Sequence, residues 1–162
     1  MLKIAVVDDE IIFVESLINK ITAVCEKLNL EFKIDKYSNG FDILENYSKY
    51  HLIFLDIEMP SIDGIATAKR INELKGSAEI PFIVYVTSHD ELVFDALKSF
   101  PYSFIRKSKI ESDLYECINR INNSFEELHK TIVLHTERKD IPIVIGLSLI
   151  HISEPTRQAE IS

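Results

Sequence analysis

The sequence predicts an α/β domain on a doubly wound, five-stranded parallel sheet, followed by a truncated β-hairpin. Three observations carry this expectation. Short apolar runs rich in β-branched residues recur at 3–7, 51–55 and 81–87, as the doubly buried strands of parallel sheets do. Apolar stripes at helical spacing fall between them. The first run ends in Asp8-Asp9-Glu10 and the second in Asp56, so acidic groups collect where open α/β sheets bind ligands.

Each element follows from local pattern. After the first strand, Val14, Leu17, Ile18, Ile21, Cys25 and Leu28 mark one helix face. Residues 31–36 (EFKIDK) alternate as a strand with one polar face. Ser38-Asn39-Gly40 breaks the chain and caps a short helix carrying Phe41, Ile43, Leu44 and Tyr47. The Asp56 strand comes next. Residues 59–64 (MPSIDG) form a turn, and Asp63 caps a helix that runs to Lys75 and stops at Gly76.

Residues 81–87 (PFIVYVT) give the fourth strand, 90–98 a short helix and 101–105 the fifth strand. Ser108 and Glu111 have capping-box spacing before a long helix with Leu114, Ile118, Ile121, Phe125 and Leu128 on one stripe. Five βα units in succession imply helices on both faces of the sheet.

The chain has 162 residues, a net charge of −8, 46% hydrophobic and 27% charged residues. That is one domain plus a remainder too short for a second. The acidic balance argues against nucleic-acid binding by this chain itself, because such binding runs on Lys and Arg neutralising phosphates. No run approaches a membrane span, and acids at residue 8 break any signal-peptide layout. Cys25 and Cys117 sit on apolar stripes and read as reduced core residues of a cytoplasmic protein.

Asp8, Asp9 and Asp56 meet if the first and third strands are parallel neighbours. Three carboxylates repel one another, and a hard cation such as Mg²⁺ relieves this at least cost. Thr87 ends the fourth strand, Lys107 follows the fifth, Phe104 lies three residues earlier, and Glu58 lies two past Asp56. Alone, each reads blandly: helix N-terminal charge, a turn residue, a β-branched strand residue, a surface ammonium, a core ring. Together, carboxylate, hydroxyl, ammonium and metal suit a tetrahedral anion, with Asp a competent nucleophile.

On these five positions, Asp8, Asp9, Asp56, Thr87 and Lys107, residues 1–128 resemble the flavodoxin-like receiver domain of two-component response regulators. The resemblance implies that Asp56 accepts phosphate from a sensor histidine kinase. It implies Mg²⁺ on Asp9, Asp56 and the Glu58 backbone carbonyl, with Asp8 acting mostly through water. Thr87 would bond the phosphoryl oxygen, Lys107 would pair with the phosphate, and Phe104 would report the change to the outer face. The chain would then be a phosphoacceptor switch, not an enzyme. Ile11, Ile12 and Phe13 crowd the start of the first helix, near which the family's kinase docks; the plain alternative is burial under the loop after the fifth strand. One departure concerns the residue after Lys107: the family usually has Pro, often cis, whereas Ser108 here calls for a trans bond or a strained loop.

Residues 130–143 resemble the first strands of a LytTR-type DNA-binding domain, so 129–146 are expected to be a linker and the start of a truncated output domain. DNA binding and transcription regulation would then belong to the missing C-terminal part, with a phosphorylation-dependent homodimer as one output. Residues 147–162 (LSLIHISEPTRQAEIS) change composition abruptly and read as one frame of a transposase sequencing adapter. They are expected to be non-native and without function.

Two alternatives stand beside this reading. A stand-alone receiver would act through protein contacts only. A haloacid-dehalogenase-type phosphatase also uses Asp, Mg²⁺ and Lys, but its Asp-x-Asp motif follows the first strand, where this chain has Asp8-Asp9.

Overall fold

A computed structural model describes residues 1–128, 130–135 and 140–144. The strands are β1 (Leu2–Val7), β2 (Phe32–Tyr37), β3 (Leu52–Leu55), β4 (Phe82–Thr87) and β5 (Ser103–Arg106). The helices are α1 (Ile11–Lys27), α2 (Gly40–Asn46), α3 (Gly64–Lys75), α4 (Val93–Leu97) and α5 (Ile110–Leu128). All five strands are parallel, in the order β2-β1-β3-β4-β5. The order reverses between β1 and β3, the topological switch point of a doubly wound sheet.

Period-two alternation sends successive strand residues to opposite faces. Ile4, Val6, Phe54, Val84 and Val86 pack with Val14, Leu17 and Ile21 of α1 and Leu114, Ile118 and Ile121 of α5. Ala5, Val7, Ile53, Leu55, Ile83 and Tyr85 pack with Ile43 of α2, Ala68 and Ile71 of α3 and Ala96 of α4. Cys25 and Cys117 are free and buried in the first of these layers, as their stripes indicate.

Most local signals act as expected. The Asp63 carboxylate accepts the Ala66 N–H at 2.8 Å, and Gly76 ends α3 with φ of 60°. The Asn39 side chain accepts the Asp42 N–H at 2.9 Å. The capping box before α5 gives way to a different arrangement. A 3-10 turn, Lys107–Lys109, leads into the helix, and Glu111 pairs with Lys20 of α1. Lys107–Ser108 is a trans peptide.

Gly64 positions the site. Its N–H donates to the Ile57 carbonyl at 2.7 Å, and a Cβ there would lie 2.0 Å from the Asp56 carbonyl oxygen. Backbone cannot yield as a flexible side chain can. Gly64→Ala is therefore expected to destabilise the fold by about 2–3 kcal/mol, seen as a lower urea midpoint.

Two further strands, β6 (Thr131–His135) and β7 (Asp140–Val144), pair antiparallel as the expected hairpin. The turn between them, His129 and the adapter-like residues 147–162 lie outside the described residues.

Candidate functional site

The register pairs Val7 with Leu55, so the next residues, Asp8 and Asp56, emerge side by side. One carboxylate oxygen from each of Asp8, Asp9 and Asp56 lies within 4.8 Å of the others. Asp8 and Asp56 are buried, at 3% and 6% exposure, while Asp9 is exposed. The Asp56 N–H donates to the Val7 carbonyl at 2.9 Å, which fixes its main chain.

Lys107 closes the cluster from β5. Its ammonium lies 2.8 Å from Asp8 Oδ2, 3.4 Å from Glu10 Oε1 and 3.7 Å from Asp56 Oδ2. It also stands over the Phe13 ring, 4.1 Å from the centroid. Burial disfavours its charge, yet the hydrogen bond to Asp8 and the field of Asp56 outweigh this and raise its pKa. The trans bond before Ser108 thus still delivers Lys107 to the acids.

One ammonium does not balance the cluster. Burial first, and Asp8 second, push the Asp56 carboxyl up to about 6, against the opposing pull of Lys107 and an Ile57 N–H. A buried acid with two acidic neighbours and room for oxygen donors fits a hard divalent cation. This donor set lacks the nitrogen and sulfur ligands that structural zinc prefers.

The remaining expected residues sit on the same edge but engage other groups. Thr87 is fully buried, and its hydroxyl accepts the His89 N–H at 3.2 Å. Phe104 is half-buried and lies across from Tyr85, ring centroids 6.4 Å apart. The Glu58 carboxylate turns to His89 Nε2 in an exposed ion pair, and His89 Nδ1 meets Glu91 at 3.1 Å. The hydrogen bond that His89 donates to Glu91, helped by Glu58 and opposed by desolvation, raises the His89 pKa.

The structure divides the three apolar residues at the start of α1. Ile11 and Ile12 are exposed, at 69% and 87%, while Phe13 is half-buried beneath Lys107. Phe13 lies under the residue that follows β5, as burial beneath that loop predicts, and forms the floor of Lys107. Sequence reasoning missed the contact from Glu10, whose place in the acidic triplet was its signal.

Comparison with known proteins agrees with this geometry. The family model described as response regulator receiver domain matches residues 4–119. The chain is 27% identical over 128 residues to transcriptional regulatory protein YpdB of Escherichia coli K12, covering 78% of the chain and 50% of that protein. It is 27% identical over 108 residues to sensory transduction protein LytR of Staphylococcus saprophyticus, covering 65% of the chain and 41% of that protein. The crystal structure of the response regulatory domain of protein mrkE from Klebsiella pneumoniae superposes with a TM-score of 0.63 at 25% identity, covering 77% of this chain and 98% of that one. The chain thus spans half or less of the length of these two full-length relatives.

Proposed function

The chain belongs to the response regulator receiver domain family, and from that premise we propose that Asp56 is the phosphoacceptor of a two-component phosphorelay. The observation that carries this is the placement of Asp56: buried, main chain fixed, Lys107 3.7 Å away, beside two more acids.

Asp8, Asp9, Asp56 and the Glu58 carbonyl would hold Mg²⁺. When bound, the ion supplies positive charge that keeps Asp56 ionised and neutralises phosphoryl oxygens. An Asp56 oxygen attacks phosphorus in line, forming the P–O bond as the P–N bond of a kinase phosphohistidine breaks. Lys107 pairs with an equatorial oxygen. The Thr87 hydroxyl turns to another oxygen and gives up the His89 N–H that it now accepts. Phe104, half-buried beside Tyr85, follows that displacement. This is a switch driven by charge and hydrogen bonding, with no turnover of free phosphate esters.

Exposure of Ile11 and Ile12 supports a kinase contact there, while Phe13 serves Lys107 instead. The protein itself would act in the cytoplasm. Among the described residues, no helix is long and apolar enough to cross a membrane. Residues 129–146 are proposed as the start of a LytTR-type output domain, supported by the likeness to LytR and by the length of the relatives. DNA binding, transcription regulation and phosphorylation-dependent pairing of two copies belong to that longer protein. Sequencing the source locus across Gly146–Leu147 without a transposase adapter checks this: the frame should continue into a basic, strand-rich domain.

The direct test of the site uses a small acyl-phosphate donor. One phosphoryl group per chain is expected with Mg²⁺, mapped to the peptide containing Asp56 and lost in chelator. Equal labelling in chelator, or label on another residue, would overturn the assignment.

A further inference from the structure

Helix α4 is an underpacked element. It has five residues, of which Ala96 alone is buried, while Phe94, Leu97 and Phe100 around it are exposed. Apolar burial therefore holds it weakly, and polar contacts must fix its position. They act at two separate ends.

At the leading end, the Thr87 hydroxyl accepts the His89 N–H, just before the 3-10 turn Asp90–Leu92. The Glu58–His89 and Asp90–Arg106 pairs also touch this end, but both are exposed and hold loosely. At the trailing end lies a buried network. Tyr85 and Ser99, both fully shielded, have hydroxyl oxygens 2.6 Å apart. Ser99 donates to the Ala96 carbonyl at 2.6 Å, so its one proton is used and Tyr85 donates to it. The Ser99 carbonyl accepts from Asn72 of α3. Tyr85 and Thr87 are two residues apart on β4, so they project from the same face of the sheet.

We propose that the Tyr85–Ser99 hydroxyl pair is the fixed pivot of the α4 segment, so that phosphorylation releases only the segment's leading end. This rests on the reading of Asp56 as phosphoacceptor and Thr87 as the group drawn to the phosphoryl oxygen. Turning the Thr87 hydroxyl toward that oxygen frees the His89 N–H. It leaves the Tyr85 network intact, because a buried hydroxyl that loses its partner has no water to replace it. The segment then swings about residues 98–100 instead of detaching.

The test is residue-resolved amide exchange on the full chain. Without phosphoryl donor, Tyr85→Phe and Ser99→Ala should each speed exchange at residues 98–100 about tenfold, and the double variant should add little further. Both should still take label from an acyl phosphate. In the labelled wild type, exchange should rise at 88–92 and stay unchanged at 98–100; in labelled Tyr85→Phe it should be fast at both ends. Unaltered exchange at 98–100 in the unlabelled variants, or acceleration spread over the whole sheet, overturns the pivot. If label is taken up at Asp56 but 98–100 loosen as much as 88–92, the pivot alone falls. If the wild type takes no label, the phosphoacceptor reading falls and the pivot with it.

Discussion

Asp56→Asn is expected to abolish acyl-phosphate labelling and, at the same time, to make the metal-free protein more stable. The loss follows from chemistry: an amide oxygen is too poor a nucleophile to form the acyl phosphate. The gain follows from linkage. The Asp56 carboxyl has a pKa of about 6 in the folded state, raised by burial and by Asp8, against about 3.9 in an unfolded chain. Between those values the folded state binds the extra proton, so stability falls as pH rises from about 4 to about 6 and stays reduced above. Asn carries no charge and escapes this penalty. In chelator at pH 8 the variant should exceed wild type by roughly 2–3 kcal/mol, with the advantage gone near pH 4. Urea unfolding at both pH values measures it. Mg²⁺ should shrink the gap, since it stabilises the wild-type cluster preferentially. Equal stability in chelator at pH 8 would mean that Asp56 is not electrostatically strained.

Lys107→Met should act in the opposite direction. Methionine keeps an apolar stem over Phe13 but removes the charge that lies 2.8 Å from buried Asp8 and 3.7 Å from Asp56. Removing one partner of a buried pair leaves an uncompensated charge and costs about 3–5 kcal/mol. Mg²⁺ should restore a large part of this loss by taking over the neutralising role, so the variant's urea midpoint should depend on Mg²⁺ far more steeply than that of wild type. Combining Lys107→Met with Asp56→Asn should cost less than the two separate effects predict, because the groups share one network. An unchanged midpoint in chelator would show that the Lys107 contacts contribute nothing to the fold.

The parts legible in the sequence were those fixed by short-range pattern. Apolar runs marked β1, β3 and β4, and helical stripes marked the buried sides of α1 and α5. Asp63 and Gly76 bounded α3 by their own side-chain and backbone chemistry. Asp8, Asp9, Asp56 and Lys107 could be placed together because strand order alone carries their ends to one edge. What stayed hidden depends on side chains meeting across the fold. Glu111 at the start of α5 meets Lys20 of α1, and Tyr85 of β4 meets Ser99 beyond α4. Neither of these contacts leaves a periodic trace.

The close seating of Gly64 against Asp56 has a practical consequence. The main chain around Asp56 is clamped by Val7 on one side and by Gly64 on the other, so the phosphoryl group proposed for Asp56 would not bend this strand end. A fluorescent biosensor built on this domain should therefore not carry its dye on the loop that joins β3 to α3, where signal amplitude would be small. The dye belongs on the stretch just after β4, with a second label on α3 serving as a stationary internal reference.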